Sequence, residues 1–142
     1  MHWFMAEDNK YLVIRLDPGD FLLESIEEAC KQAGVSNGFV ASCIGTLDQV
    51  RMHFVMTTGY PPVESYPTLV GPFELNSLDG IIAEGKLHGH MMLSDTEKAY
   101  GGHLEGGTRV LYLAEMVIKV FEETKMQRVP DPVTGINQLR EN

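Results

Sequence analysis

Three of the five histidines in the 142-residue chain fall within one short segment, at positions 88, 90 and 103. His88 and His90 are two residues apart, so on a β-strand both side chains project from the same face. A polar stretch at residues 94–98 separates them from His103. If this segment folds as a hairpin, His103 lies opposite His90, with the two Cβ atoms about 4.5–5.5 Å apart. The spacing therefore predicts three imidazoles on one face of a hairpin.

Three neutral imidazoles can bind one zinc ion at N–Zn distances of about 2.0–2.1 Å. They leave one tetrahedral position open, which is typical of catalytic or ligand-binding zinc and not of a closed structural site. Histidines on strands also serve as hydrogen-bonding surface residues, so both interpretations stand at this point. His53 alternates outward from the apolar residues of its own strand, and we weigh it as a weak ligand candidate. His2 is expected to be inert.

One segment has the periodicity of an amphipathic helix. Asp20 is the expected N-cap, because its carboxylate can accept hydrogen bonds from the free amides of the first turn. Gly34 is the expected C-cap. The apolar face of this predicted helix consists of Leu22, Ile26, Ala29, Cys30 and Ala33.

Short runs of β-branched and aromatic residues predict strands in most of the remaining chain. A bend or bulge is expected near Gly80, and a loop at 59–65. The tail, 126–142, should be extended or form a short terminal strand. The predicted strands are 10–16, 38–44, 47–58, 68–70, 73–78, 80–84, 87–93, 99–104 and 108–121.

The domain organisation follows from this pattern. Residues 1–9 are expected to be a frayed N-terminal extension, and residues 10–142 a single domain. One helix and many strands without an internal repeat indicate the α+β class, a mainly antiparallel β-sheet packed with one main helix.

Net charge limits the partners of the chain. It carries 11 basic and 20 acidic residues and has a formal net charge of −9. Binding to nucleic acid depends largely on Lys and Arg contacts to phosphates, so direct DNA binding is disfavoured and a cation is favoured. No apolar run is long enough to span a bilayer, and we expect a cytoplasmic protein with no membrane partner. Cys30 and Cys43 are expected to be buried, reduced thiols, with a disulfide as the alternative.

Five short motifs give the chain a recognisable resemblance. It resembles the plants and prokaryotes conserved domain family, PPC, in its stand-alone prokaryotic form, from about Tyr11 to about Leu139. The motifs that carry the resemblance are Gly71–Gly80, Leu87–His90, Gly101–Leu104, Ala114–Ile118 and Asp131–Gly135.

The resemblance implies a PPC-like α+β fold that assembles as a homotrimer. It also implies a zinc ion bound by His88, His90 and His103, which match the histidine positions of prokaryotic members. Glu115 lies in the family's recurring Glu-x-Val-Ile segment and is a weak catalytic candidate. It could accept a proton or support a ligand histidine, and it could equally face solvent or a subunit boundary.

Two functions are compatible with the resemblance. The first is a homotrimer that binds a metal ion and a small anionic ligand, or performs metal-assisted hydrolysis. The second is a regulatory or scaffold module associated with DNA, because the family is often given a DNA-binding label. That label derives from plant members with basic AT-hook segments, and this chain contains no such hook.

Overall fold

The computed structural model describes residues 1–142, and most of them lie in strands. One helix, α1, spans Leu22–Ala33. The strands are β1 (His2–Ala6), β2 (Tyr11–Leu16), β3 (Gly38–Val55), β4 (Glu64–Ser65), β5 (Thr68–Ala83), β6 (Lys86–Ser94), β7 (Ala99–Leu104), β8 (Arg109–Val120), β9 (Met126–Pro130) and β10 (Asn137–Glu141). The first eight form one sheet in the order β1-β2-β8-β3-β5-β6-β7, with β4 paired to β3, and every pairing is antiparallel. The predicted α+β class with a mainly antiparallel sheet is confirmed.

The sheet closes on itself at the end of β3. This strand pairs with β5 and β8 along most of its length, and its last residues pair with β7, placing His53 opposite His103. Because β5, β6 and β7 follow one another in the sheet and return to β3, the four strands form a barrel-like ring. Register shifts between Gly45 and Gln49 bend β3, as bulges do. The two strands predicted at 38–44 and 47–58 are thus one bent strand.

The helix packs its apolar face onto the inner face of the sheet. Leu22, Ile26, Ala29 and Cys30 are fully buried in a core that β2, β3, β5 and β6 also line. Gly34 ends the helix in the left-handed conformation at φ 71°, as expected. The predicted N-cap is wrong: Phe21 occupies that position without a side-chain cap. The Asp20 carboxylate instead accepts from the Asp17 backbone N–H and pairs with the N-terminal amine.

Both ends of the chain form strands, where the sequence predicted a frayed start and a tail that is extended or forms a short terminal strand. Residues 2–6 were expected to fray, yet they pair along their whole length with β2, because Trp3 and Met5 pack against the core. The tail 126–142 forms a separate two-stranded hairpin, β9–β10.

The middle of the chain also differs in detail. The strands predicted at 68–70, 73–78 and 80–84 form the single strand β5, Thr68–Ala83, and its bulge lies between Leu75 and Ser77 instead of near Gly80. Cys30 and Cys43 are free and buried, as predicted. No helix has both the length and the apolar character needed to cross a membrane.

Candidate metal centre

The β6–β7 hairpin presents the predicted histidines on its outer face. Its turn is held by Asp95, whose side chain accepts from the backbone N–H groups of Glu97 and Lys98. The strands pair so that His90 lies opposite His103, and this prediction is confirmed. Leu87, Met91 and Leu93 are buried in the core, so the alternate residues His88 and His90 face outward.

The rings of His88, His90 and His103 form a triangle. Their centroids are 5.6 Å apart for His88 and His90, 4.9 Å for His88 and His103, and 5.3 Å for His90 and His103. Imidazoles that bind one zinc ion tetrahedrally at about 2.0–2.1 Å hold their centroids about 5 Å apart. The spacing of the rings is compatible with a shared zinc ion, although the donor atoms of these three histidines are not grouped within 4.8 Å of one another, as those of His53, His103 and Glu105 are.

His53 and Glu105 adjoin this triangle. The His53 Nδ1 atom lies 2.6 Å from Glu105 Oε1, and the His53 ring stacks on His103 with centroids 4.2 Å apart. The buried His103 Nδ1 atom is 3.2 Å from the same Glu105 oxygen but is not aligned for a hydrogen bond, so it has no partner. A carboxylate beside a ligand histidine is the usual means of fixing its ring orientation.

Glu105, His53 and His103 offer a second set of metal ligands. Their potential donor atoms all lie within 4.8 Å of one another. However, the His53 and His103 planes are only 25° apart, and near-parallel stacked rings do not readily converge on one ion. The His53 contact with Glu105 also has hydrogen-bond length. We therefore assign this set a supporting role beside the histidine triangle.

The protonation of two histidines favours metal binding. Partial desolvation, and after it the nearby charge of Arg128, together lower the pKa of His88 to about 4. Burial also lowers the pKa of His103, helped by His53 and opposed by Glu105. Both imidazoles are thus neutral at pH 7, and only a neutral imidazole can bind a metal.

A cavity of about 620 Å³ opens beside these rings. Its floor includes His53, His88 and His103, whereas His90 lies outside it. Its walls come from two segments that are distant in sequence, the loop after β3 and the β9–β10 hairpin. The other lining residues are Pro61, Pro62, Glu64, Lys86, Leu87, Arg128, Thr134, Gly135, Ile136 and Asn137.

The turn of the β9–β10 hairpin is built around Asp131. Its Oδ1 atom accepts from the backbone N–H groups of Val133 and Thr134 and from the Thr134 hydroxyl. Gly135 takes a left-handed conformation at φ 72° and donates to the Asp131 carbonyl. These contacts fix the wall of the cavity and hold the pKa of Asp131 below its ordinary value.

Glu115 is not brought to this centre. It is exposed on β8, where its strand partners are Arg15 and Ile44, and it does not line the cavity. Conversely, reasoning from the sequence gave little weight to His53 and none to Glu105 or Arg128. On β3, His53 alternates with apolar residues that face inward, just as His88 and His90 do on β6. This shared pattern could have identified His53 as a residue of the site.

Fold and site together define a small barrel-like antiparallel domain with a histidine centre on its outer face. Residues 5–122 match the family model of the Plants and Prokaryotes Conserved (PCC) domain. The chain belongs to this family, which confirms the resemblance found in its sequence.

Three known proteins illustrate the relationship. A bifunctional protein GlmU of Synechococcus is 30% identical over 131 residues, which are 92% of this chain and 20% of that protein. The chain thus spans about a fifth of the length of its curated relatives. A presumed DNA-binding protein of Bacteroides thetaiotaomicron has a TM-score of 0.85 at 18% identity, covering 97% of this chain and 96% of that one. A metal-containing protein of Archaeoglobus fulgidus has a TM-score of 0.79 at 24% identity, covering 99% and 97%.

Proposed function

We propose that this protein binds a zinc ion through His88, His90 and His103 and uses this centre to bind a small anionic molecule. The observation that supports it best is the triangle of rings with centroids 4.9–5.6 Å apart. Zinc bound there would supply a Lewis acid for ligand binding or for hydrolysis. The name of the Archaeoglobus neighbour, a metal-containing protein of the same fold, agrees with the proposal.

The surrounding residues would each have a distinct role. Glu105 lies 3.2 Å from His103 Nδ1 and would orient that ring as a hydrogen-bond acceptor. His53 Nδ1 lies 2.6 Å from the same Glu105 oxygen, Oε1, and would hold that carboxylate in place. Burial keeps His88 neutral, so that protons compete little for its nitrogen at pH 7.

Metal analysis of the protein purified without a histidine tag tests this proposal. We expect about one zinc per chain in the wild type and a loss of zinc in His88→Gln and in His90→Gln. His2→Gln is the matched control, since it changes an exposed histidine on β1 outside the site and should keep the metal. Loss of zinc in His53→Gln with retention in His88→Gln would instead support the His53, His103 and Glu105 set. Zinc content unaffected by substitution of His88, His90 and His53 would refute both sites.

We also propose that the chain assembles as a homotrimer. Ile44 of β3 and Tyr112 and Leu113 of β8 are large apolar residues that remain exposed in the single chain. These strands are neighbours in the sheet, so the residues could contribute to a subunit contact. Light scattering during size exclusion should give three times the 15.8 kDa of one chain. A mass of one chain would refute the trimer.

A module associated with DNA is the second candidate function, supported by the name of the Bacteroides neighbour. The net charge of −9 opposes it, because phosphate contacts require clustered Lys and Arg. Titration against duplex DNA at low and moderate salt separates the two candidates. A complex that weakens steeply with salt would favour DNA binding, and no complex at low salt would exclude it.

A further inference from the structure

Arg128 is the one cation of the cavity that has no partner. Lys86, the other cation in the lining, is paired with Glu27 of α1 at 2.6 Å. Glu64, the acid of the lining, accepts a hydrogen bond from the Tyr66 hydroxyl. The Arg128 Nε atom is buried and has no hydrogen-bond partner in the protein.

Arg128 differs from the other arginines of the chain in having a buried donor atom, Nε, that meets no acceptor. Arg109 forms a two-pronged pair with Asp48, and Arg15 pairs with Asp17. A buried N–H donor without an acceptor is unfavourable, so proteins ordinarily place an acceptor beside it. Because the side chain lines an open cavity, its missing partner can be supplied by a bound molecule.

We propose that Arg128 recognises the anionic group, a carboxylate or a phosphate, of the small molecule bound beside the histidines. The planar guanidinium can donate two parallel hydrogen bonds to either group. His88 and His103 line the same cavity as Arg128, so one ligand can contact both the histidines and the guanidinium. A volume of about 620 Å³ suits a metabolite-sized anion. This inference rests on the proposed function, whose metal centre would hold the other end of the ligand.

Calorimetric titration of the full chain with inorganic phosphate and with succinate tests the role of Arg128. The proteins are the wild type, Arg128→Gln, Arg128→Lys and the control Arg140→Gln. Arg140 is an exposed arginine of the same hairpin that does not line the cavity. We expect at least one probe to bind about tenfold more weakly to Arg128→Gln, since a charged hydrogen bond is lost. Arg128→Lys should keep part of the affinity, and Arg140→Gln should bind as the wild type does.

Zinc content measured on the same samples separates the two proposals. Full zinc with equal probe affinities in Arg128→Gln and Arg140→Gln would overturn the role of Arg128 and leave the metal centre standing. The wild type could instead be found to contain no zinc and still bind the probes, with weaker binding by Arg128→Gln. That result would support the role of Arg128 and overturn the metal centre. Full zinc with no binding of either probe at millimolar concentration would also overturn the role of Arg128.

Thermal unfolding of the ligand-free protein distinguishes recognition from a structural role. If Arg128 serves a ligand, Arg128→Met should unfold at the same or a higher temperature, because a buried donor without an acceptor is removed. A lower melting temperature together with unchanged probe affinity would show that Arg128 supports the hairpin, and would overturn the assignment.

Discussion

Gly80→Ala should destabilise the protein, because β5 and β6 approach each other closely at this residue. Gly80 is paired with Gly89, and a Cβ atom on Gly80 would lie 2.5 Å from the His88 carbonyl oxygen. It would also lie 2.8 Å from the Gly89 Cα atom and from Leu87 Cδ1. Two of these three atoms belong to the backbone, so a rotamer change cannot relieve the overlap.

The size of the effect follows from these distances. Ordinary contacts of a Cβ atom begin at 3.4 Å, so the two strands must separate by about 0.9 Å. Overpacking of this kind costs about 1–3 kcal/mol. For a domain of this size, that corresponds to a fall in melting temperature of roughly 3–10 °C. Zinc affinity should fall as well, because His88 and His90 flank Gly89 on the displaced strand.

Thermal unfolding followed by circular dichroism, with zinc titration of the same samples, measures both effects. Gly59→Ala is the control, since no atom lies within 4 Å of a Cβ atom on Gly59 and its φ is not in the left-handed region. It should change the free energy of unfolding by less than about 0.5 kcal/mol. Equal melting temperatures for the two variants would refute the close approach of the strands at Gly80.

Three further predictions concern titrating groups. Glu105→Gln should weaken zinc binding about 10–100-fold, measured by competition with a chelator, and unchanged affinity would contradict its orienting role. The zinc-free protein should lose stability as pH falls from about 6.5 towards 4, because the unfolded chain protonates at His88 before the folded protein does. Urea unfolding at pH 7 and pH 5 should show a smaller loss for His88→Gln, and an equal loss would count against the lowered pKa. Burial raises the pKa of both Cys30 and Cys43 to about 12, so a thiol reagent at pH 8 should label them only after unfolding.

Local features of this fold could be predicted from the sequence. The β6–β7 hairpin, and with it the pairing of His90 with His103, depends on a turn of only a few residues. The helix depends on the apolar periodicity of a single segment. Asp20 was predicted as the N-cap of the helix. This prediction failed because the Asp20 carboxylate forms an ion pair with the N-terminal amine. The pairing of β1 with β2 brings the N-terminal amine close to Asp20. The residues around Asp20 do not specify that pairing.

Long-range pairing explains the parts of the site that were missed. His53 meets His103 only because the sheet closes between β3 and β7, and no residue near either histidine encodes that contact. Arg128 reaches the cavity because the tail folds back as a hairpin. The segment Asp131–Gly135 was identified from the sequence as a family motif, and neither its turn nor the surface on which the hairpin lies was predicted from it.

The C-terminal hairpin has a consequence for how such a site can diversify. Arg128 and the Thr134–Asn137 wall lie on this hairpin, beyond the residues that match the family model, although the hairpin also carries the Asp131–Gly135 motif of the family resemblance. The histidines belong to the shared barrel, and the residues that would select the ligand belong to a separate two-stranded appendage. Because this hairpin pairs with no strand of the barrel, we expect substitutions at Arg128 or in the Thr134–Asn137 wall to alter the proposed ligand preference and to leave the positions of the histidines unchanged.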